Sequence, residues 1–147
     1  MMNGLVTFLT HPAFLSVFSA WVLVGLIKYA IALIKHPEEA SLLNELMRTG
    51  GMPSGHSAAV TAIAASVWFA EGFSMLFFVT ATFSLLFIRD SYGVRWSVGE
   101  QAKIINKLIK HDHLQEKVEV ILGHTVFQAN VGILLGLGVT VFWHLIL

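Results

Sequence analysis

Residues Ala13–Ile34 read AFLSVFSAWVLVGLIKYAIALI, a run in which Lys28 is the one charged side chain. About 20 consecutive apolar residues suffice for a helix to cross the hydrocarbon core of a bilayer. Working outward, three more apolar stretches follow, at about Ser54–Ala70, Phe73–Ile88 and Thr125–Leu147. The middle two stand near the ~17-residue lower limit for a span. Only Glu71-Gly72 separates them, which predicts a tight helical hairpin. The 147-residue chain is 56% hydrophobic and 12% charged, whereas a soluble domain carries about 25% charged residues. The expected fold is therefore all-α: one polytopic membrane helix bundle over residues 1–147, with about four transmembrane helices. A formal net charge of zero gives no reason to expect a nucleic-acid partner. The absence of cysteine excludes disulfides and thiolate metal sites. The first residues lack a basic n-region, and the run after His11-Pro12 is too long for an h-region, so no cleavable signal peptide is expected.

Charge is distributed by side. Four spans place the 35–53 and 89–124 loops together. The first holds Lys35 and Arg48; the second holds Arg89, Arg95, Lys103, Lys107, Lys110 and Lys117. The 71–72 turn and both termini hold no Lys or Arg. The positive-inside rule then predicts that the two loops are cytoplasmic. Within the second loop, Ser97 and Glu100 have capping-box spacing, which predicts a helix start there. Ile104, Ile105, Leu108 and Ile109 follow on one face, and Lys103, Lys107 and Lys110 on another. Such a basic amphipathic helix suits the headgroup layer, or packs on the rest of the loop with its lysines in water. A second short helix is expected at about residues 114–122, giving amphipathic loop helices over about 98–122.

The stretch that carries chemistry is Gly50-Gly51-Met52-Pro53-Ser54-Gly55-His56-Ser57, where a loop becomes a membrane helix. Proline is favoured in a first helical turn. Glycines let backbone amides approach a ligand closely. A helix N-terminus offers unpaired N–H groups and the positive end of a dipole, and so attracts phosphate. Ser54 and Ser57 add hydroxyls, and His56 would stand where it can protonate a leaving oxygen. The competing structural account is a capped helix start with a satisfied histidine.

Pro53-Ser54-Gly55-His56 resembles the central motif of the type 2 phosphatidic acid phosphatases, relatives of the vanadium haloperoxidases. The wider sequence resembles the divergent branch of that family. There, Gly-Gly-Met-Pro-Ser-x-His-Ser is followed by Asp-x-x-Gly-Val-Arg, Gly-Glu-Gln-Ala and Leu-Gly-His-Thr; here these are Gly50–Ser57, Asp90–Arg95, Gly99–Ala102 and Leu122–Thr125. The resemblance implies a membrane lipid phosphatase that hydrolyses a lipid phosphate or diphosphate through a phosphohistidine, with no metal and no cofactor. It implies that phosphate is held by a Lys–Arg pair, by the Ser54-Gly55 backbone and by a second Arg, and that His56 protonates the leaving group. Lys28 matches the first of these. After six intervening residues the chain has Lys35-His36-Pro37 where the family has Arg-Pro. Arg95 matches the second arginine.

The attacking histidine has two candidate positions. The first, set by the spacing after Arg95, is Gln101, and an amide cannot attack phosphorus; the orienting acid's place is taken by Ile105. The second is His124, at the start of the fourth span. The divergent branch usually has Glu four residues later, on the same helical face; this chain has Gln128, which can hydrogen-bond but supplies no negative charge. The catalytic set is therefore His56, His124 and Gln128. The binding set is Lys28, Arg48, Ser54, Gly55, Ser57, Asp90, Arg95 and Gln101. Several members have other readings: Lys28 can snorkel to the interface, Asp90 and Arg95 can form a structural ion pair, and Arg89 fits an interfacial anchor. Arg48 fits a bidentate phosphate contact. His111, Asp112 and His113 are adjacent on a solvated loop and lack a distant ligand set, so no metal is expected there. The expected partner is a membrane lipid with a phosphate headgroup, and so few helices leave room for a homodimer. Gln101 and Gln128 favour the other function class, a non-catalytic membrane protein that binds anionic headgroups or scaffolds an assembly.

Overall fold

The computed structural model describes residues 2–47, 50–111, 118, 120 and 123–147. It is all-α. The elements are α1 (Met2–Leu9), α2 (Pro12–Lys35), a single 3-10 turn (Pro37–Glu39), α3 (Leu42–Met47), α4 (Gly55–Glu71), α5 (Met75–Tyr92), α6 (Val94–His111) and α7 (Val126–Ile146). Three stretches are long and apolar enough to cross a membrane: α2, the Met75–Lys110 run built from α5 and α6, and α7. At 17 residues, α4 covers about 25 Å at 1.5 Å per residue, less than the ~30 Å hydrocarbon core. The expected first and fourth spans correspond to α2 and α7.

Each helix starts on a side chain that satisfies its free amides. His11 Nδ1 accepts from Ala13 N at 3.2 Å, with Pro12 in the first turn of α2. Ser74 caps α5 and Thr125 caps α7. Gly72, at φ 65°, turns the chain between α4 and α5, so the expected hairpin forms. α5 starts two residues later than the apolar pattern suggested, at its serine cap, and runs through Arg89, Asp90 and Ser91 to Gly93.

The short helix α4 is the centre of the bundle, packed against α2, α5 and α7. Its core is made of small side chains: Ala58 and Ala62 meet Ala20 and Val24 of α2, with Leu135 and Val139 of α7 alongside. Between α4 and α7 the backbones touch. A Cβ on Gly132 would lie 2.4 Å from the Ser54 carbonyl oxygen, and one on Gly136 would lie 2.4 Å from that of Ala58. One turn further, Thr140 Oγ1 donates to Ala62 O at 3.4 Å and to Gly136 O at 2.8 Å. The contacts advance by four residues on both helices at once, so α4 and α7 run parallel. Apolar packing against lipid supplies no drive for helices to associate; small residues that let backbones meet do. Ser84 Oγ of α5 donates to Val60 O at 2.9 Å and ties the antiparallel neighbour to α4.

Two local expectations fail. Ser97 does not open a helix: α6 begins at Val94, directly after the turn at Gly93, and Ser97 Oγ donates back to Gly93 O at 3.2 Å. Glu100 pairs with Lys103 at 2.8 Å instead of capping. The amphipathic character itself holds. α6 packs against α5 alone among the helices, and Ile104, Ile105 and Leu108 are exposed. Residues 114–117, 119, 121 and 122, where the second loop helix was expected, lie outside the described residues, as do Asp112 and His113 of the histidine cluster.

Candidate active site

The C-terminal ends of α2 and α5 and the N-terminal ends of α4 and α7 meet at one end of the bundle. Four of the chemistry-bearing stretches converge there. Gly50 and Gly51 take φ of 82° and 76°, a left-handed conformation open to glycine at little cost. They lead into Ser54, whose hydroxyl accepts from Ser57 N at 3.3 Å and from Ser57 Oγ at 3.0 Å. Both serines are fully buried, so their hydroxyls fasten the helix start and do not reach out to a ligand. Pro53, expected in the first turn, precedes the cap and is buried. Among the described residues the amides of Gly55 and His56 have no hydrogen-bond partner; they are the free donors of this helix start. Gly55 packs on α2, where a Cβ would meet Val24 at 3.6 Å.

His124 is brought in by backbone geometry. Its amide donates to Ser91 O at 2.9 Å. The preceding Gly123 lies so close to the α5–α6 junction that a Cβ would come within 2.4 Å of Trp96 N and 2.8 Å of Ser91 O. The glycine of Leu122-Gly123-His124-Thr125 thus admits the histidine to the site. The imidazole is 3% exposed, and its centroid lies 6.4 Å from that of the exposed His56, edge to face at 61°. Both rings border a cleft of about 320 Å³ whose wall also carries Lys28, Glu45, Gly50 and Gly55. Lys28, 7% exposed, is buried at the end of α2.

Burial pushes the His124 imidazole below the ordinary histidine value; the charge of Lys28 and the neighbouring His56 push the same way, while the nearby Gln128 side chain and Gly51 backbone oppose it. His124 is thus held neutral at neutral pH. Its Nδ1 is buried without a hydrogen-bond partner among the described residues. Gln128, the expected orienting residue, spends its amide oxygen on Thr125 N at 3.0 Å, completing a capping box. Its carbonyl accepts from Ser54 N at 3.1 Å, so Gln128 also ties the start of α7 to the start of α4.

Arg95 Nε meets Asp90 Oδ2 at 2.8 Å, with both side chains partly exposed. The two charges, like that of Lys28, are near enough to act on His56. Gln101 is exposed on α6 and does not border the cleft. Arg48 lies outside the described residues. The structure adds Glu45, a carboxylate on α3 that is 8% exposed and borders the cleft. Six residues of α3 give no helical period to read, so this acid had no signal in the sequence. Ser91, which positions His124 through its carbonyl, had none either.

The fold and this end of the bundle define an all-α membrane protein with two histidines facing each other beside a buried lysine. A family model described as the Divergent PAP2 family matches residues 9–139, and the chain belongs to that family. It is 35% identical to the "Uncharacterized membrane protein YuiD" of Bacillus subtilis (strain 168), across 90% of this chain and 93% of the relative. No solved structure matches the chain.

Proposed function

We propose that the protein is a lipid phosphohydrolase that cleaves a phosphate or diphosphate monoester through a phosphohistidine. The observation that carries this reading is the edge-to-face pair of His56 and His124, 6.4 Å apart, on a cleft that also holds Lys28. A phosphoryl group between the rings would have a nucleophile on one side and an acid on the other. The Lys28 ammonium, the Arg95 guanidinium and the free amides of Gly55 and His56 would neutralise its oxygens. Neutral His124 would attack phosphorus; the bond from phosphorus to the lipid oxygen would break, and His56 would give its proton to the departing alkoxide. Water activated by His56 would then attack the phosphohistidine, releasing phosphate and restoring His124.

The experiment is phosphate release from lipid phosphates by purified protein in detergent, with acid-quenched samples searched for phosphohistidine. His124→Ala should abolish both signals. Release unchanged in that variant removes His124 as nucleophile. One observation favours a second reading, a non-catalytic binder of anionic headgroups: Gln128 is committed to the cap and His124 Nδ1 has no acid to orient it. Vanadate or phosphate binding without turnover in the wild type would select that reading. On either one, the distribution of Lys and Arg favours a cytoplasmic position for the loops that carry the site.

A further inference from the structure

The α2–α7 seam changes character along its length. Over most of it lies an apolar trough of about 920 Å³, bounded by α2 from Leu15 to Leu26 and by α7 from Val131 to Trp143, with no residue of another helix on its walls. Leu23, Leu26, Leu134 and Phe142 are exposed along it. Trp143 Nε1 donates to Ser19 Oγ at 2.8 Å and ties the two walls near the far end. Gly138 leaves the trough open, since a Cβ there would meet nothing within 4 Å. At 1.5 Å per residue the trough runs for about 17 Å, close to one leaflet of a ~30 Å hydrocarbon core.

The trough ends at a polar cavity of about 520 Å³ on the same seam. Leu26 is two residues from Lys28 on α2, and Val131 is three from Gln128 on α7, steps of about 3 and 4.5 Å. The cavity takes Lys28, Lys35 and His36 from the end of α2, and Glu39 and Glu45 from the segment after it. Lys28 and Glu45 also border the histidine cleft, so they form a wall common to both spaces.

We infer that this seam holds a single-chain lipid phosphate, with its hydrocarbon chain in the trough and its headgroup in the polar cavity beside Lys28; the inference rests on the phosphate-binding reading above. The change from apolar to polar along one seam, at leaflet depth, matches an amphiphile. A spanning helix of a second copy would carry apolar surface past the lysines and leave them unanswered. Lys28 and Lys35 neutralise the phosphate, and Glu39 and Glu45 accept from headgroup hydroxyls. Lys28 then lies on the short path from this resting place to the two histidines.

The test follows retention of palmitoyl lysophosphatidate by the purified protein with native mass spectrometry, and binding of glycerol phosphate by equilibrium dialysis. Gly138→Leu fills the trough from α7, and Leu23→Trp fills it from α2. Each should cut lipid retention by about tenfold, the effect of displacing roughly two methylenes, and leave glycerol phosphate binding and the helical circular dichroism unchanged. Should Gly138→Leu lose its helical signal, Leu23→Trp decides. Undiminished retention in a folded variant overturns the inference. So does equal loss of both ligands, which would place the effect at the polar end. A wild-type dimer that turns monomeric in the variants with lipid still retained gives the seam to a second copy and overturns it too. The hydrolase reading fails separately: a wild type that retains the lipid but releases no phosphate removes the enzyme and leaves the seam. Phosphate release with undiminished retention in both variants does the reverse.

Discussion

Gly132 of α7 and Ser54 of α4 stand closer than any side chain would permit: a Cβ on Gly132 would lie 2.4 Å from the Ser54 carbonyl oxygen and 3.0 Å from Ser57 Cβ. Ser54 caps the helix that carries His56, so this contact sets the position of the site as well as the packing of the bundle. Gly132→Ala should destabilise the protein by about 1–3 kcal/mol, the range for overpacking a close contact, because backbone on both sides must give way. Gly138→Ala, where the added methyl meets open space, should be neutral or slightly stabilising. Detergent unfolding followed by circular dichroism compares the two. Equal stability for both variants would show that the α4–α7 contact does not set the bundle.

How far the sequence foretold this arrangement depends on the range of the signal. Apolar run length located α2 and α7, because crossing a bilayer imposes a length that a single stretch reveals. The expectation at Ser97 failed because a capping-box pattern reports a helix start only where the preceding chain is not helical, and α5 ends one residue before α6 begins. The site was legible where residue type carries the chemistry, as at His56, His124 and Arg95. It was not legible at Ser54 and Ser57, whose burial depends on α7 packing over them. Nor was it at Glu45, brought in by a short helix packed on α2, where a Cβ on Gly25 would overlap Leu46. The Gly132-x-x-x-Gly136 spacing is a signal that could have been used, since small residues four apart mark close helix packing in membranes.

The Arg95–Asp90 pair should matter for ligand and little for stability. Both side chains are partly exposed, at 46% and 39%, and exposed ion pairs contribute about 0–1 kcal/mol. Asp90→Asn should therefore cost under about 1 kcal/mol in detergent unfolding. Arg95→Ala should weaken vanadate or phosphate binding by about tenfold or more, the loss of one charge-assisted hydrogen bond. Isothermal titration of vanadate reads this directly. If Asp90→Asn unfolds the protein while Arg95→Ala binds vanadate normally, the pair is structural and Arg95 leaves the phosphate set.

Sidedness can be read by labelling, because the chain has no native cysteine. A cysteine at position 71, in Glu71→Cys, sits at the α4–α5 turn, and one at position 110, in Lys110→Cys, near the end of α6. A membrane-impermeant maleimide applied to intact cells should label the first, and the second only after permeabilisation. The reversed pattern would put the lysines and the histidine cleft on the outer side.

The pH dependence of His124 has a defined sign. Its folded value is lowered from the ordinary ~6.5, with burial the largest cause and the Lys28 charge next among those that lower it. Between the folded value and about 6.5 the unfolded chain binds a proton on this side chain and the folded chain does not, so stability rises with pH through that window. The contribution is complete above about 6.5 and is lost as pH falls toward the folded value. Catalysis should follow the same group: the neutral imidazole is the nucleophile, so the acid limb of kcat for phosphate release should lie below the ordinary histidine value. His124→Gln should flatten the stability profile in that window and abolish release. Lys28→Met should move the limb up, toward the ordinary value, since it removes a charge that opposes protonation. A limb at or above 6.5 in the wild type, or one unmoved by Lys28→Met, would mean that a group other than His124 governs the rate.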